Sequence, residues 1–406
     1  MSSITAALTG RLSNLRRVLI GAALLLVIAG LGAGVATRIG SAPRGGRAAA
    51  LGNRRFNRGA SSCSPTPSRA PRENARQPLL LGISAGIRLE RGPARCEQAM
   101  LAAATGVHAV REDISWTQTE PQPDHYDWRN YDAVVRTASQ AGLMVLPILD
   151  DAPQWAAPTG CLPSDPGPYA SFAAATVSRY GPGGAFWREN PDLAERPLFW
   201  YELWNEPWTA ACNGGPGNYA RLVAAAVSAG RAASPDARFL VAGDSSYRTP
   251  AGTRADWIAG MYAAVPQIGR YIDALSVHPY GGDPTVYTPR GDTDEQPGRL
   301  EQAHAELAAH GDGGKPLWVT EIGWSTCTGA SGCVSEAEQA SYLKEFLDLA
   351  LTAWRSYVRA VFVFDLRDAG PAADDDREAW FGLLRPDLSR KPAWWVLRGV
   401  AGELGG

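Results

Sequence analysis

The sequence carries almost no net charge. Its 39 Lys and Arg face 41 Asp and Glu, a formal balance of −2. A nucleic-acid binder reads phosphates through a strong basic field, so that class is excluded, and with it a cationic membrane-surface protein. Lysine is scarce, standing only at Lys315, Lys344 and Lys391. The five histidines (His108, His125, His278, His304 and His310) form neither H-x-H nor HExxH, so catalytic zinc is not expected. Asp150, Asp151, Asp365 and Asp368 lack the compact loop spacing of a hard-ion site. Neither a metal nor a cofactor is expected. No internal repeat signals a solenoid or propeller.

What is present begins with the termini and the cysteines. Val18 to Ala36 is an uncharged apolar run preceded by Arg11, Arg16 and Arg17. It is long enough to span a bilayer, and Gly34-Val35-Ala36 is a passable cleavage site. Residues 1–17 then read as a cytoplasmic segment, 18–37 as a transmembrane anchor or signal peptide that meets the membrane, and 38–77 as a flexible linker. The linker is Gly, Ala, Arg, Ser and Pro with few large apolar residues, too few to offset its ordering entropy. The six cysteines show no C-x-x-C spacing and read as disulfides. Cys327 and Cys333 enclose a short Gly/Ser loop; Cys161 with Cys212 and Cys63 with Cys96 would complete the set. The main domain, 78–406, is therefore expected outside the cytoplasmic membrane, anchored or secreted. Its 14 Trp outnumber both the 13 Tyr and the 9 Phe. Trp stacks well while keeping a polar handle, which makes sugar rings a first guess for the ligand.

Short apolar runs alternate with helical patterns from Leu79 onward. Strands are expected at Leu79–Ile83, Val107–Glu112, Leu143–Leu149, Leu198–Asn205, Phe239–Asp244, Ala274–His278, Leu317–Glu321 and Ala360–Asp365. Each is the continuous apolar run of a strand buried on both faces. Helices are expected at Tyr131–Ala141, Tyr219–Ala233, Arg299–His310, Glu336–Trp354 and Pro392–Gly402. This alternation predicts a single (β/α)8 TIM barrel of ordinary size. An open doubly wound sheet is the alternative, weakened because no Gly-rich phosphate loop follows the first strand. Every expected strand end but the first carries titratable groups, where a barrel builds its site.

Two strand ends stand out. Leu198 to Trp208 runs an apolar strand into Asn205-Glu206-Pro207, and Leu317 to Trp324 runs one into Glu321. Counting strands, these end the fourth and seventh. Two carboxyls on one cleft suit glycosidic cleavage, one protonating the leaving oxygen and the other attacking the anomeric carbon or activating water. The pair Trp204-Asn205-Glu206-Pro207 and Val319-Thr320-Glu321-Ile322-Gly323-Trp324, with Ser276-Val277-His278-Pro279-Tyr280 between them, resembles the clan A retaining glycoside hydrolases. Val110 to Trp116, Tyr126-Asp127-Trp128 and Gly142 to Leu146 resemble that clan's second strand, helix and third strand, and Phe364 to Asp368, Phe381-Gly382-Leu383 and Lys391-Pro392-Ala393 resemble family 39-like and family 5-like members. The resemblance covers roughly Leu79 to Gly402.

The resemblance implies roles. Glu206 would be the acid/base, with a raised pKa, and Glu321 the nucleophile. Asn205 would bind the sugar 2-hydroxyl. Tyr280 and Arg111 would hold Glu321 as a carboxylate, and His278 would bind substrate or support Glu206. Trp116, Trp155, Trp208 and Trp324 lie just past strand ends, where sugar stacking or loop packing would each fit, and Asp365 lies at the mouth. Arg111 could instead pair with Glu112 or Asp113. The clan's usual eighth-strand Trp is missing; Phe364 or Trp380 would fill its place. The implied substrate is an extracellular polysaccharide or glycoconjugate. A non-catalytic wall-binding protein and a wall-remodelling transglycosylase are the alternatives. Sugar, linkage and endo or exo action are not legible, and a monomer is the default for the oligomeric state.

Overall fold

The computed structural model describes Cys63 and residues 79–405, apart from 159–160, 210–211, 213, 245–246, 250–252, 285–297, 330 and 371–375. The expected segments 1–17, 18–37 and 38–77 lie outside the described residues, Cys63 excepted. Among the described residues no helix is long and apolar enough to cross a membrane.

Eight strands form the centre: β1 (Leu80–Ser84), β2 (Ala109–Ser115), β3 (Met144–Asp150), β4 (Trp200–Leu203), β5 (Arg238–Ala242), β6 (Ala274–Val277), β7 (Leu317–Ile322) and β8 (Val358–Val363). Each pairs in parallel with its sequence neighbours, and β1 pairs with β8, so the sheet closes. Around it run α1 (Gly92–Ala104), α2 (Arg129–Gln140), α3 (Pro166–Tyr180), α4 (Gly215–Ala233), α5 (Trp257–Ala264), α6 (Gly298–Ala309), α7 (Glu336–Leu351) and α8 (Pro392–Gly405). This is the (β/α)8 barrel that the alternation of runs predicts. Helix starts carry local signals: the Asp165 carboxylate caps α3 by accepting from Gly167 N, and Ser335 with Glu338 forms a capping box on α7.

Both faces of each strand are buried. Outward residues such as Val110, Val145, Tyr201, Val241, Val319 and Val361 join helix residues such as Leu222, Phe346 and Trp394 in the larger core. Inward residues form a second cluster: Ala109, Leu146, Leu240, Ala274, Trp318, Ala360 and Phe362, with Trp200 against it. Trp200 and Trp318 meet at 4.5 Å between ring centroids, and Phe362 stacks on Trp318. Gly82 makes room for this plug, since a Cβ there would sit 2.2 Å from the Phe362 ring.

Side chains two residues apart share a strand face. The layer above Ala109, Trp200 and Trp318 is therefore Arg111, Glu202 and Thr320. The barrel interior turns from apolar to polar within one layer, toward the C-terminal mouth. Three disulfides close loops: Cys63–Cys96, Cys161–Cys212 and Cys327–Cys333.

Candidate active site

Arg111 is the hub of the polar layer. It is 4% exposed and divides its guanidinium among three partners. Nε donates to Glu202 at 2.6 Å, Nη1 to Glu321 at 2.5 Å and Nη2 to Asn205 Oδ1 at 2.9 Å. Its partners are thus across the barrel. The neighbouring carboxylates are engaged elsewhere: Asp113 pairs with Arg88, and Glu112 accepts from the backbone of Ile87 and Arg88.

Glu321 would face away from the barrel axis if β7 were regular, because Thr320 already faces inward. Between β7 and β8 the register advances from Val319 to Ile322 on one strand and from Val361 to Val363 on the other. One extra residue on β7 is a β-bulge, a device that re-aims a side chain. It brings Thr320 and Glu321 to the same side. The second Glu321 oxygen accepts from the Tyr280 hydroxyl at 2.8 Å, so each oxygen has its own donor.

Glu206 is aimed by its backbone. Trp204 and Glu206 both adopt left-handed φ values, 71° and 44°. Such conformations in residues with a Cβ are strained and gather at functional sites. They turn the chain at the end of β4 so that Asn205 reaches Arg111 and Glu206 reaches His278. His278 Nδ1 lies 2.8 Å from Glu206 Oε1, and Nε2 lies 3.0 Å from Thr320 Oγ1. Thr320 in turn donates to Glu202 at 2.8 Å. One continuous chain of contacts therefore links Glu206, His278, Thr320, Glu202, Arg111 and Glu321.

The charges in this chain oppose one expectation. Burial pushes the Glu206 carboxyl up, but the hydrogen bond and charge of His278, then Arg111 and Arg299, outweigh it, and Glu206 stands below its ordinary value. His278 moves the other way: burial lowers it, but Glu321 and the bonded Glu206 outweigh burial and raise it. The sequence led to a raised Glu206, and the structure lowers it instead, because His278 bonds it.

Ligating atoms of Glu206, His278 and Glu321 lie within 4.8 Å of one another. As a metal trio they are poorly placed, since Arg111 and Tyr280 occupy both Glu321 oxygens and a guanidinium stands beside any cation. The donor set suits proton handling between carboxylates instead.

The remaining expected site residues divide. Trp208 is half-buried and presents its ring edge to His278 at 6.0 Å, so it borders the site. Trp116 is corrected: it is 0% exposed, stacks on Phe172 and donates to Glu120, which makes it core and no sugar platform. Trp324 is also packing, 5% exposed, with Nε1 donating to Gly282 O. Trp155 is half-buried, edge-on to Trp116, and donates to Glu120 O. Asp365 has a buried oxygen without a partner, and burial, followed by Asp368, pushes its carboxyl well up. Phe364, the residue after β8, lies edge-on to Tyr280 and Phe381, where the clan's Trp was missed. The sequence reading missed Glu202 and Thr320. Glu202 had a signal, a lone charge within the apolar run Trp200 to Leu203.

A closed parallel barrel with paired carboxylates at its C-terminal mouth defines a class of sugar-cleaving enzymes. Residues 90–359 match the family described as cellulase (glycosyl hydrolase family 5), and the chain belongs to that family. Among solved structures, it resembles a family 39 glycoside hydrolase from Bacteroides cellulosilyticus, with TM-score 0.59, 22% identity, and 81% of this chain and 64% of that one covered. It also resembles a monomeric β-xylosidase from Caulobacter crescentus, with TM-score 0.54, 21% identity and 79% and 67% covered. A glucosidase from Croceicoccus marinus aligns with TM-score 0.57, 17% identity and 80% and 67% covered. At these identities the likenesses speak for the fold, and the chain spans just under two thirds of the first neighbour's length. No curated relative matches the chain.

Proposed function

We propose that the protein is a retaining glycosidase, working by double displacement on a polysaccharide or glycoconjugate outside the cytoplasmic membrane. The observation that carries this reading is the closeness of Glu206 and Glu321, with one oxygen of each within 4.8 Å. Retaining enzymes hold their carboxyls about 5–5.5 Å apart, whereas inverting ones leave about 6.5–9.5 Å for a water.

Glu321 attacks the anomeric carbon, held by Arg111 on one oxygen and Tyr280 on the other. Glu206 gives its proton to the glycosidic oxygen, the bond to the leaving group breaks, and a glycosyl ester on Glu321 remains. Water then enters, Glu206 takes its proton, and the hydroxide attacks the anomeric carbon to release the sugar and restore Glu321. Asn205, fixed by Arg111, is placed to meet the sugar 2-hydroxyl. The lowered Glu206 fits this scheme through His278. His278 is raised where Glu206 is lowered, which places it to hand a proton to Glu206. A bound sugar covers the 32% of the Glu206 side chain now exposed, burial strengthens, and the proton passes along the 2.8 Å contact to Glu206. Three disulfides support a location in an oxidising compartment.

The test is product stereochemistry on a panel of aryl glycosides, followed by NMR as the anomer first appears. Retention is expected. Glu321→Gln should abolish turnover. Azide should rescue Glu206→Ala with a retained glycosyl azide. An inverted first product sinks the mechanism.

A further inference from the structure

At the C-terminal mouth of the barrel lies a cavity of about 410 Å³, walled by the end of β2 and by residues that follow β1 and β2, into the starts of α1 and α2. Its charged lining is Arg88, Arg91, Arg95, Asp113, Asp127 and Arg129. Asp113 follows Arg111 by two residues on β2, about 7 Å along the strand. The cavity therefore begins one step from the residue that holds Glu321.

The charges do not cancel. Arg88 pairs with Asp113 and Arg129 with Asp127. Glu90, close by, pairs with Arg367. Arg91 and Arg95 remain, and among the described residues neither has a carboxylate at ion-pair distance. Arg91 Nη1 donates only to the carbonyls of Arg88 and Glu90, at 2.6 and 3.0 Å. Arg95 is 6% exposed, yet its contacts are all neutral: the carbonyls of Ile87 and Glu90 from Nε, and Asn130 Oδ1 from Nη2 at 2.7 Å. Among the described residues its Nη1 has no hydrogen-bond partner. Burial and the charge of Arg91 together destabilise this guanidinium, against smaller help from Glu112 and Glu90. Buried charges are ordinarily paired, and guanidinium forks match planar oxyanions in two-point contacts.

We propose that this cavity is a subsite for an anionic substituent of the glycan, a uronate carboxylate or a sulfate ester, held by Arg91 and Arg95. The proposal rests on the glycosidase reading above and adds the substrate class: an acidic rather than a neutral polysaccharide. Arg95 supplies a buried guanidinium with Nη1 left to donate, and Arg91 an exposed one at the rim.

The full-length chain carrying Glu321→Gln is run by affinity electrophoresis through gels that hold a uronate-bearing glycan, or the same glycan after carboxyl reduction. A second pair of gels holds a sulfated glycan or its desulfated form. The acidic member of one pair should bind about tenfold or more tightly than its neutral partner. The preference should shrink when Arg91→Glu is added and as salt is raised. The pair that discriminates identifies the oxyanion. Equal retardation within both pairs, or a preference that Arg91→Glu leaves unmoved, overturns the subsite. Arg91 is exposed, so its replacement leaves the fold intact. Turnover of the same glycans by the protein with Glu321 in place is read separately. Selective binding without turnover sinks the double-displacement scheme and keeps the subsite, while turnover without selectivity does the reverse.

Discussion

Arg111 holds both Glu202 and Glu321, and its parts in stability and in the proposed chemistry can be pulled apart. In Arg111→Met the guanidinium leaves and Glu202, 0% exposed, keeps Thr320 as its one hydrogen-bond donor among the described residues. Removing one partner of a buried ion pair costs about 3–5 kcal/mol, a large part of the roughly 5–15 kcal/mol that a folded domain commands. Glu321 and Asn205 each lose a donor as well, and the loss of a charged donor from a reacting carboxylate's setting lowers kcat by about 10²–10³. Arg111→Met combined with Glu202→Gln removes the stranded charge, and the Gln oxygen still accepts from Thr320. The double variant should therefore regain most of the lost denaturation midpoint in urea, while its turnover of an aryl glycoside stays as low as that of the single variant. A double variant no more stable than Arg111→Met would refute the claim that Glu202 is the liability. Recovery of activity with stability would refute the claim that Arg111 acts on Glu321.

Three further outcomes follow. His278→Asn should move the alkaline limb of kcat/KM toward lower pH. In the native protein the pair's proton leaves only above His278's ordinary 6.5, because His278 is raised, whereas without the imidazole the limb belongs to Glu206 alone; an unmoved limb removes His278 from the proton path. Glu112, pushed up to about 7 chiefly by burial, binds more protons folded than unfolded between 4.5 and about 7. Stability is therefore lost as pH rises through that window, by about 3 kcal/mol in all. Glu112→Gln should narrow the difference in urea midpoint between about pH 5 and about pH 8, and an identical difference in both proteins would show the reasoning wrong. Gly82→Ala drives a Cβ into the Phe362 ring and should cost about 1–3 kcal/mol, with partial recovery in Gly82→Ala/Phe362→Leu; equal midpoints for both variants would mean the barrel plug is not what Gly82 protects.

The barrel was legible because its strands are buried on both faces and so appear as continuous apolar runs. All eight strands fall where those runs lie. The helices were less so: α1, α3 and α5 were not anticipated. α1 and α5 are rich in small residues, and α3 opens with Pro166-Gly167-Pro168, which reads as a turn. Glu206 and Glu321 could be named because motif and strand count agreed. The bulge that aims Glu321 could not, since it is a property of two strands and shows only in their register. Trp116 was misjudged for a similar reason. Its place after a strand end suggests a sugar platform, but whether such a ring faces the cleft or the helices depends on Phe172, on α3, and Trp155, after β3. The coupled state of Glu206 likewise arises from His278, 72 residues away.

The segment after β4 shows how the fold holds a costly geometry in place. Two residues with a Cβ, Trp204 and Glu206, are left-handed within three positions, a strain of about 1–3 kcal/mol each. Nothing local favours it. What opposes relaxation is the packing on either side: Trp204 is 4% exposed and edge-on to Tyr169, whose hydroxyl bonds Leu149 O at the end of β3. Tyr219 on α4 donates to Leu203 O and accepts from Ala242 N, tying β4 to β5 just below the turn. Trp204 can regain an ordinary φ only by leaving its pocket, at the loss of a buried aromatic worth more than the strain. The turn is thereby locked with Asn205 and Glu206 both directed inward, which a regular strand, alternating its side chains, cannot do. The direction of both side chains is therefore a consequence of core packing outside the barrel, in residues that lie away from Glu206 itself.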